Sequence, residues 1–203
     1  MKLKERIYRE ILIGVLNKKK SFTQLGLSKI CEVSLGLVNK VTKELKEIGA
    51  VDVGLRQFRV IDPSKILFNW ATKRNLKKYI SVSYSISLPI TELEKELPFI
   101  LTAYSGWRLL SKSVPFDYNE VYCYVPAKDN RLLDLWLKDK KISRGKENIF
   151  FIYTDDNHLI KNSPRKIAPL PQIFVDIYSL SGLASKYFIS DILEKYPLFK
   201  IEA

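Results

Sequence analysis

Between Ser34 and Gly49 lies the stretch that most narrows the fold. Val38, Val41, Leu45 and Ile48 recur at spacings of three, four and three, which is one apolar stripe on a helix from Leu35 to Ile48. Ser34 supplies the hydroxyl of an N-cap, and Gly49 suits the left-handed position after the last turn. Other helices flank this one. Ile7, Ile11, Leu12, Val15 and Leu16 form a stripe over residues 4–16, and Lys18-Lys19-Lys20 follows where positive charge favours a helix C-terminus. Ser21-Phe22-Thr23-Gln24 reads as a capping box, with Ser21 at the N-cap and Gln24 at N3. It predicts a short helix that buries some combination of Leu25, Leu27 and Ile30, with a tight break at Glu32-Val33. Val51 to Val60 reads as two short strands around a turn at Gly54–Arg56. Asp62-Pro63, an N-cap followed by proline at N1, then opens a helix with the stripe Ile66, Leu67 and Trp70. That helix is expected to span 63–78 as a linker. Its basic end, Lys73, Arg74, Lys77 and Lys78, would either reach DNA or be solvated.

Charge marks the same region. The chain has 203 residues and a net charge of +12. Residues 1–80 carry 18 basic and 7 acidic side chains, and the remainder carries 16 and 15. Such asymmetry points to a polyanion-binding module, expected over 1–62, joined to an electrically balanced one. Helix, helix, short turn, helix and hairpin is the order of a winged helix-turn-helix. CEVSLGLVNKVTKELKEIGAV resembles the turn, recognition helix and first wing strand of bacterial and archaeal transcription regulators. The major groove admits one α-helix, which must offer small or hydrogen-bonding side chains near its N-terminal end. Ser34, Gly36, Asn39, Lys40 and Lys43 meet that need, with Asn39 able to read adenine and the lysines able to reach guanine or phosphate. Arg56, Gln57 and Arg59 fall where a wing would meet phosphates or the minor groove, and Ser21 and Thr23 at the second helix complete the candidate DNA-contacting set. A packing module with merely solvated lysines would mix charge signs, whereas this exposed set is strongly basic. A protein-binding winged helix is the other use of such an arrangement.

The remainder, expected over 79–203, reads as a mixed α/β unit, so that the whole chain is α+β. Tyr79 to Leu88 alternates apolar residues with serine, the pattern of a half-buried strand. Two helices are expected over Thr91 to Leu97 and Pro98 to Lys112. Strands follow over Glu120 to Val125 and Ile149 to Tyr153, with a helix over Arg131 to Lys138 that carries Leu132, Leu133, Leu135 and Trp136. After a loop with Pro164, Pro169 and Pro171, helices are expected over Gln172 to Leu180 and Leu183 to Tyr196. No GxxxxGK[ST] or GxGxxG occurs, so a phosphate-cradling loop, and with it a cofactor, is not expected. His158 sits in the polar run Asp155-Asp156-Asn157-His158 and is expected to be solvated. A two-metal site needs carboxylates at i and i+2 on a strand; Asp155 and Asp156 are adjacent, and Asp117 is followed two residues on by the neutral Asn119. The expectation is therefore no enzyme. Cys31, Cys123 and His158 are too few for a four-ligand zinc site, and the two thiols suit a reducing compartment. No apolar run approaches the roughly 18 residues of a membrane span, and the charged N-terminus has no secretory pattern, so a cytoplasmic location is expected.

FILTAYSGWRLL (99–110), VPFDYNEVYCYVP (114–126), PLPQIFVDIYSLSGLASKYFISDILEKY (169–196) and DPSKILFNWA (62–71) resemble the AbiEi family, antitoxin regulators of type IV toxin–antitoxin systems. The resemblance implies an N-terminal winged helix that binds its own promoter. It also implies a nucleotidyltransferase-like C-terminal domain associated with antitoxin activity. The expected function is a sequence-specific DNA-binding transcriptional regulator that represses its own operon. The alternatives are a nucleic-acid-targeted nucleotidyltransferase-like enzyme and a non-specific structural DNA-binding protein. Expected partners are double-stranded DNA and a cognate toxin, or a second copy in a homodimer, with aromatics such as Tyr118 or Tyr187 as anchors.

Overall fold

Phe22 decides how the second helix starts. In the computed structural model, which describes residues 2–200, Ser21–Phe22 form a strand (β1) instead of entering a capping box. Phe22 pairs with Phe58 across the sheet, and the two rings stack with centroids 5.8 Å apart. That pairing holds Ser21 and Phe22 extended, so Thr23 becomes the N-cap of α2 (Gln24–Cys31), its hydroxyl accepting from the Gly26 amide at 3.0 Å. α1 (Leu3–Leu16) lies against this strand. A Cβ on Gly14 would stand 2.7 Å from the Phe22 ring, so only glycine lets the two elements approach this closely.

α2 buries Leu27 and Cys31, while Leu25 and Ile30 are exposed. Glu32, at φ 55°, closes it in the left-handed region. α3 (Leu35–Glu47) starts at Ser34, whose hydroxyl accepts from the Leu37 amide at 3.2 Å, and turns out at Gly49 with φ 67°. Its buried face is Val38, Val41, Leu45 and also Thr42, which returns its hydroxyl to the Val38 carbonyl at 2.9 Å. β2 (Val51–Val53) and β3 (Phe58–Val60) complete an antiparallel sheet in the order β1-β3-β2. α4 (Pro63–Ala71) is capped by Asp62 and buries Ile66, Leu67 and Trp70.

The single helix expected over 63–78 is two pieces. α4 ends at Ala71, and Leu76–Tyr79 form a separate 3-10 turn capped by Asn75. α4 packs on α1, with Tyr8 and Trp70 stacked at 6.1 Å and the buried Arg9 guanidinium 5.9 Å from the Trp70 ring. Arg74 is no solvated end: it is buried and bonded to Glu5 of α1 at 2.9 Å. The unit therefore runs through Arg74, and the chain from Ser190 onward clusters with it. There the turn Pro197–Phe199 packs on α4 and buries Phe199, where the sequence leads one to expect 79–203 as a unit of its own.

The second unit, Asn75–Ile189, is built on a four-stranded sheet in the order β4-β7-β6-β5. Its elements are β4 (Val82–Tyr84), α5 (Ile90–Glu96), β5 (Ile100–Thr102), α6 (Ala103–Ser111), β6 (Val121–Pro126), α7 (Asn130–Lys138), β7 (Ile149–Thr154), α8 (Asn157–Lys161), α9 (Leu170–Tyr178) and most of α10 (Leu183–Lys195). β6 and β7 run parallel, and the two outer pairs are antiparallel. β6 is buried at every position, as a central strand covered on both faces must be. Val121, Cys123 and Val125 face a core with Leu93 of α5 and Leu133 of α7. Tyr124, one residue out of phase, bonds into α9 on the opposite face.

The alternating run 79–88 yields a strand over just Val82–Tyr84. At Ile86 the Asn148 side chain accepts from the backbone amide and donates to the carbonyl, both at 2.9 Å, so a side chain takes the ladder's place. The helix expected over 98–112 begins instead as β5, because Ile100 to Thr102 pair with β6, and α6 follows. Of the apolar residues on α7, Leu133 is buried, whereas Leu132 and Leu135 are exposed. Overall the chain is mixed α+β with small sheets, and no helix among the described residues is long and apolar enough to cross a membrane.

Candidate nucleic-acid interface

Ser34 fixes where α3 begins, and with it which residues its first turns present. Leu35, Gly36, Lys40 and Lys43 are exposed there, while Val38, Val41 and Thr42 hold the opposite side in the core. Gly36 has open space where a Cβ would stand, so its surroundings leave the backbone accessible. The Ser34 hydroxyl is committed to the cap, as is that of Thr23. Ser21 lies in β1 opposite Arg59. The hairpin turn is closed by the Gly54 amide bonding the Gln57 carbonyl at 2.9 Å, which leaves Leu55, Arg56 and Gln57 exposed. Arg59 is exposed on β3, across from Asp52.

Asn39 differs from the expectation of a free reading residue. It is half-buried, and its amide donates to Oε1 of Gln24, the first residue of α2, at 3.2 Å. Sequence reasoning passed over Gln24 as part of a capping box. It offered Leu25 for burial and passed over Leu35 and Leu55, all three of which with Gln24, Arg56 and Gln57 line a groove of about 290 Å³ between the two helix starts and the hairpin. Thr42 is in the core, with its hydroxyl satisfied by its own helix.

The charge on this unit divides into two kinds. Arg9 and Arg74 are buried and belong to the packing. Lys18, Lys19, Lys20, Lys29, Lys40, Lys43, Lys46, Arg56, Arg59, Lys65 and Lys73 are exposed. Glu44, the carboxylate in the middle of α3, is turned toward Lys4 and Lys73, each at 3.8 Å, and accepts from the Tyr8 hydroxyl at 3.3 Å. Burial and this carboxylate together push the Tyr8 phenol above its ordinary range.

The second unit places its polar groups inside. Asp176 of α9 is buried and accepts from Thr102 at 2.7 Å, Tyr124 at 2.6 Å and Gln172 at 2.9 Å. His158 is buried in α8, not solvated: Asp156 caps that short helix, and these two members of the polar run turn inward. Asp117 and Asp155 are exposed. Glu94 is buried and holds both Arg108 and the Tyr118 hydroxyl, so Tyr118 is a bonded, half-buried ring, while Tyr187 is exposed and stacks on Phe116 at 5.0 Å. Among the described residues no group of three or more His, Cys, Asp or Glu could hold a metal ion. Comparison of the chain with models of known families, with curated proteins and with solved structures finds no match in any of the three.

Proposed function

We propose that the first unit is a winged helix-turn-helix that binds duplex DNA, and that the protein is a sequence-specific transcriptional regulator. α3 would enter the major groove, and the β2–β3 hairpin would lie against the neighbouring backbone. One observation carries the reading. The exposed first turns of α3 and the exposed hairpin tip flank one groove, on the unit that holds most of the net positive charge. Lys40, Lys43, Arg56 and Arg59 are placed to neutralise phosphates, and Gly36 allows close approach of the helix. The likeness to AbiEi antitoxins supports control of its own promoter in the cytoplasm. In that role the second unit, which carries the smaller share of the net charge, would contact a cognate toxin or a second copy of the chain.

Fluorescence anisotropy of the full chain on random-sequence duplexes across a salt series tests the reading. With about five phosphates neutralised, log K should fall against log[salt] with a slope of roughly −4 to −5. Arg56→Ala and Arg59→Ala should each reduce that slope by about one. A folded protein without salt-dependent binding would refute DNA binding, and unchanged slopes in both variants would move the contact away from the hairpin.

A further inference from the structure

We propose that this surface reads A·T base pairs, with adenine recognised by the Gln24–Asn39 amide pair and the thymine methyl by Leu35 and Leu25. The inference rests on the DNA-binding reading above and specifies the sequence class that it recognises. Leu35 and Asn39 are one turn apart on α3 and so share a face. Gln24 and Leu25 are the first two residues of α2 and border the same groove as Leu35.

The chemistry is selective at both points. Asn39 gives one amide hydrogen to Gln24, which fixes its orientation and leaves its second hydrogen and its carbonyl oxygen in a fixed plane. That donor and acceptor match adenine N7 and N6. Guanine presents two acceptors there, so the amide oxygen would oppose O6. Gln24 is thus a positioning residue for Asn39. Leu25 and Leu35 are 56% and 49% exposed, although each stands beside hydrogen-bonding side chains on a basic surface. An apolar side chain on a groove-facing helix end gains by covering a methyl group, and the only methyl group that the major groove offers is that of thymine.

In vitro selection of a random duplex library with the full chain gives the motif. Site-specific deoxyuridine for thymidine, and 7-deazaadenine for adenine, then remove one contact each without changing the pairing. The expected motif is rich in A·T at the positions covered by α3. Deoxyuridine should weaken wild-type binding about fourfold, the cost of leaving one methyl-sized apolar contact unmade. 7-Deazaadenine should weaken it by about fivefold or more. Leu35→Ala should reduce the deoxyuridine effect, and Leu25→Ala with Leu35→Ala abolish it, while leaving the 7-deazaadenine effect; Asn39→Ala should do the reverse. Gln24→Ala should diminish the 7-deazaadenine effect, and Gln24→Glu, which keeps an oxygen acceptor for Asn39, should restore it despite weaker overall binding. These side chains lie at the surface, and circular dichroism verifies that the variants are folded. A motif whose binding is indifferent to both analogues, or whose analogue effects persist in the variants, overturns this inference and leaves sequence-specific binding standing. Salt-dependent binding without any selected motif overturns sequence-specific reading and this inference together.

Discussion

Replacing Arg74 by methionine removes one half of an ion pair that has almost no access to water. The Arg74 side chain is 0% exposed and that of Glu5 5%, and the guanidinium meets the carboxylate at 2.9 Å. Methionine fills much of the volume, so the principal loss is electrostatic: Glu5 stays buried with its cation gone. Breaking a buried pair in this way costs about 3–5 kcal/mol, because the carboxylate keeps its desolvation penalty and loses this partner. The pair ties the segment after α4 to the first turns of α1, so the cost should appear as local opening of those helices. Hydrogen exchange of the full chain by mass spectrometry reads that opening. Amides of α1 and α4 should exchange roughly 150- to several-thousand-fold faster in Arg74→Met. The double variant Glu5→Leu, Arg74→Met removes both charges of the pair and should recover part of the loss, since an apolar pair of similar volume replaces a buried ion pair at little cost. Less than tenfold acceleration in the single variant, or no recovery in the double, would show that the pair is not what holds the helices together.

Two further outcomes concern the buried polar groups. Asp176→Ala leaves the Thr102 and Tyr124 hydroxyls and the Gln172 amide without that acceptor and should cost at least about 3 kcal/mol, with Asp176→Asn milder because one acceptor oxygen survives; a thermal melt shifted by less than about 2 °C would refute this. Burial first, and then the acceptor carboxylates Glu94 and Glu120, raise the Tyr118 and Tyr122 phenols above their ordinary value of 10.0. Both stay neutral in the folded chain while the unfolded chain ionises, so their contribution is complete below pH 10 and is lost as pH rises beyond it. Phenolate absorbance followed against pH should therefore show these rings ionising together with loss of structure, and early ionisation in a chain that remains folded would contradict the assignment.

Interactions within one or two turns were legible in the residues themselves. The α3 stripe from Val38 to Leu45, the Ser34 cap, the Gly49 stop and the Asp62-Pro63 start depend on neighbours three or four positions away, and the structure has each of them, while Ile48, the last residue of the expected stripe, is exposed just past the end of α3. The exposed cations Lys40, Lys43, Arg56 and Arg59 were legible for the same reason, since a helix period and a turn suffice to turn them outward. So was the uneven charge, a property of composition alone. What escaped was whatever depends on a partner distant in the chain. β1 and β5 are too short to show a period, and exist because Phe22 meets Phe58 and Ile100 meets Tyr124. The alternating run at 79–88 is cut short by a single Asn148 side chain. Arg74 reads as a solvated cation until Glu5, 69 positions earlier, is seen to pair with it in the core. Asn39 reads as free until α2 brings Gln24 against it. The periodicity of a residue tells which side of its own helix it occupies; burial, pairing and the composition of a groove are set by what the rest of the chain places opposite, and tertiary structure alone decided those.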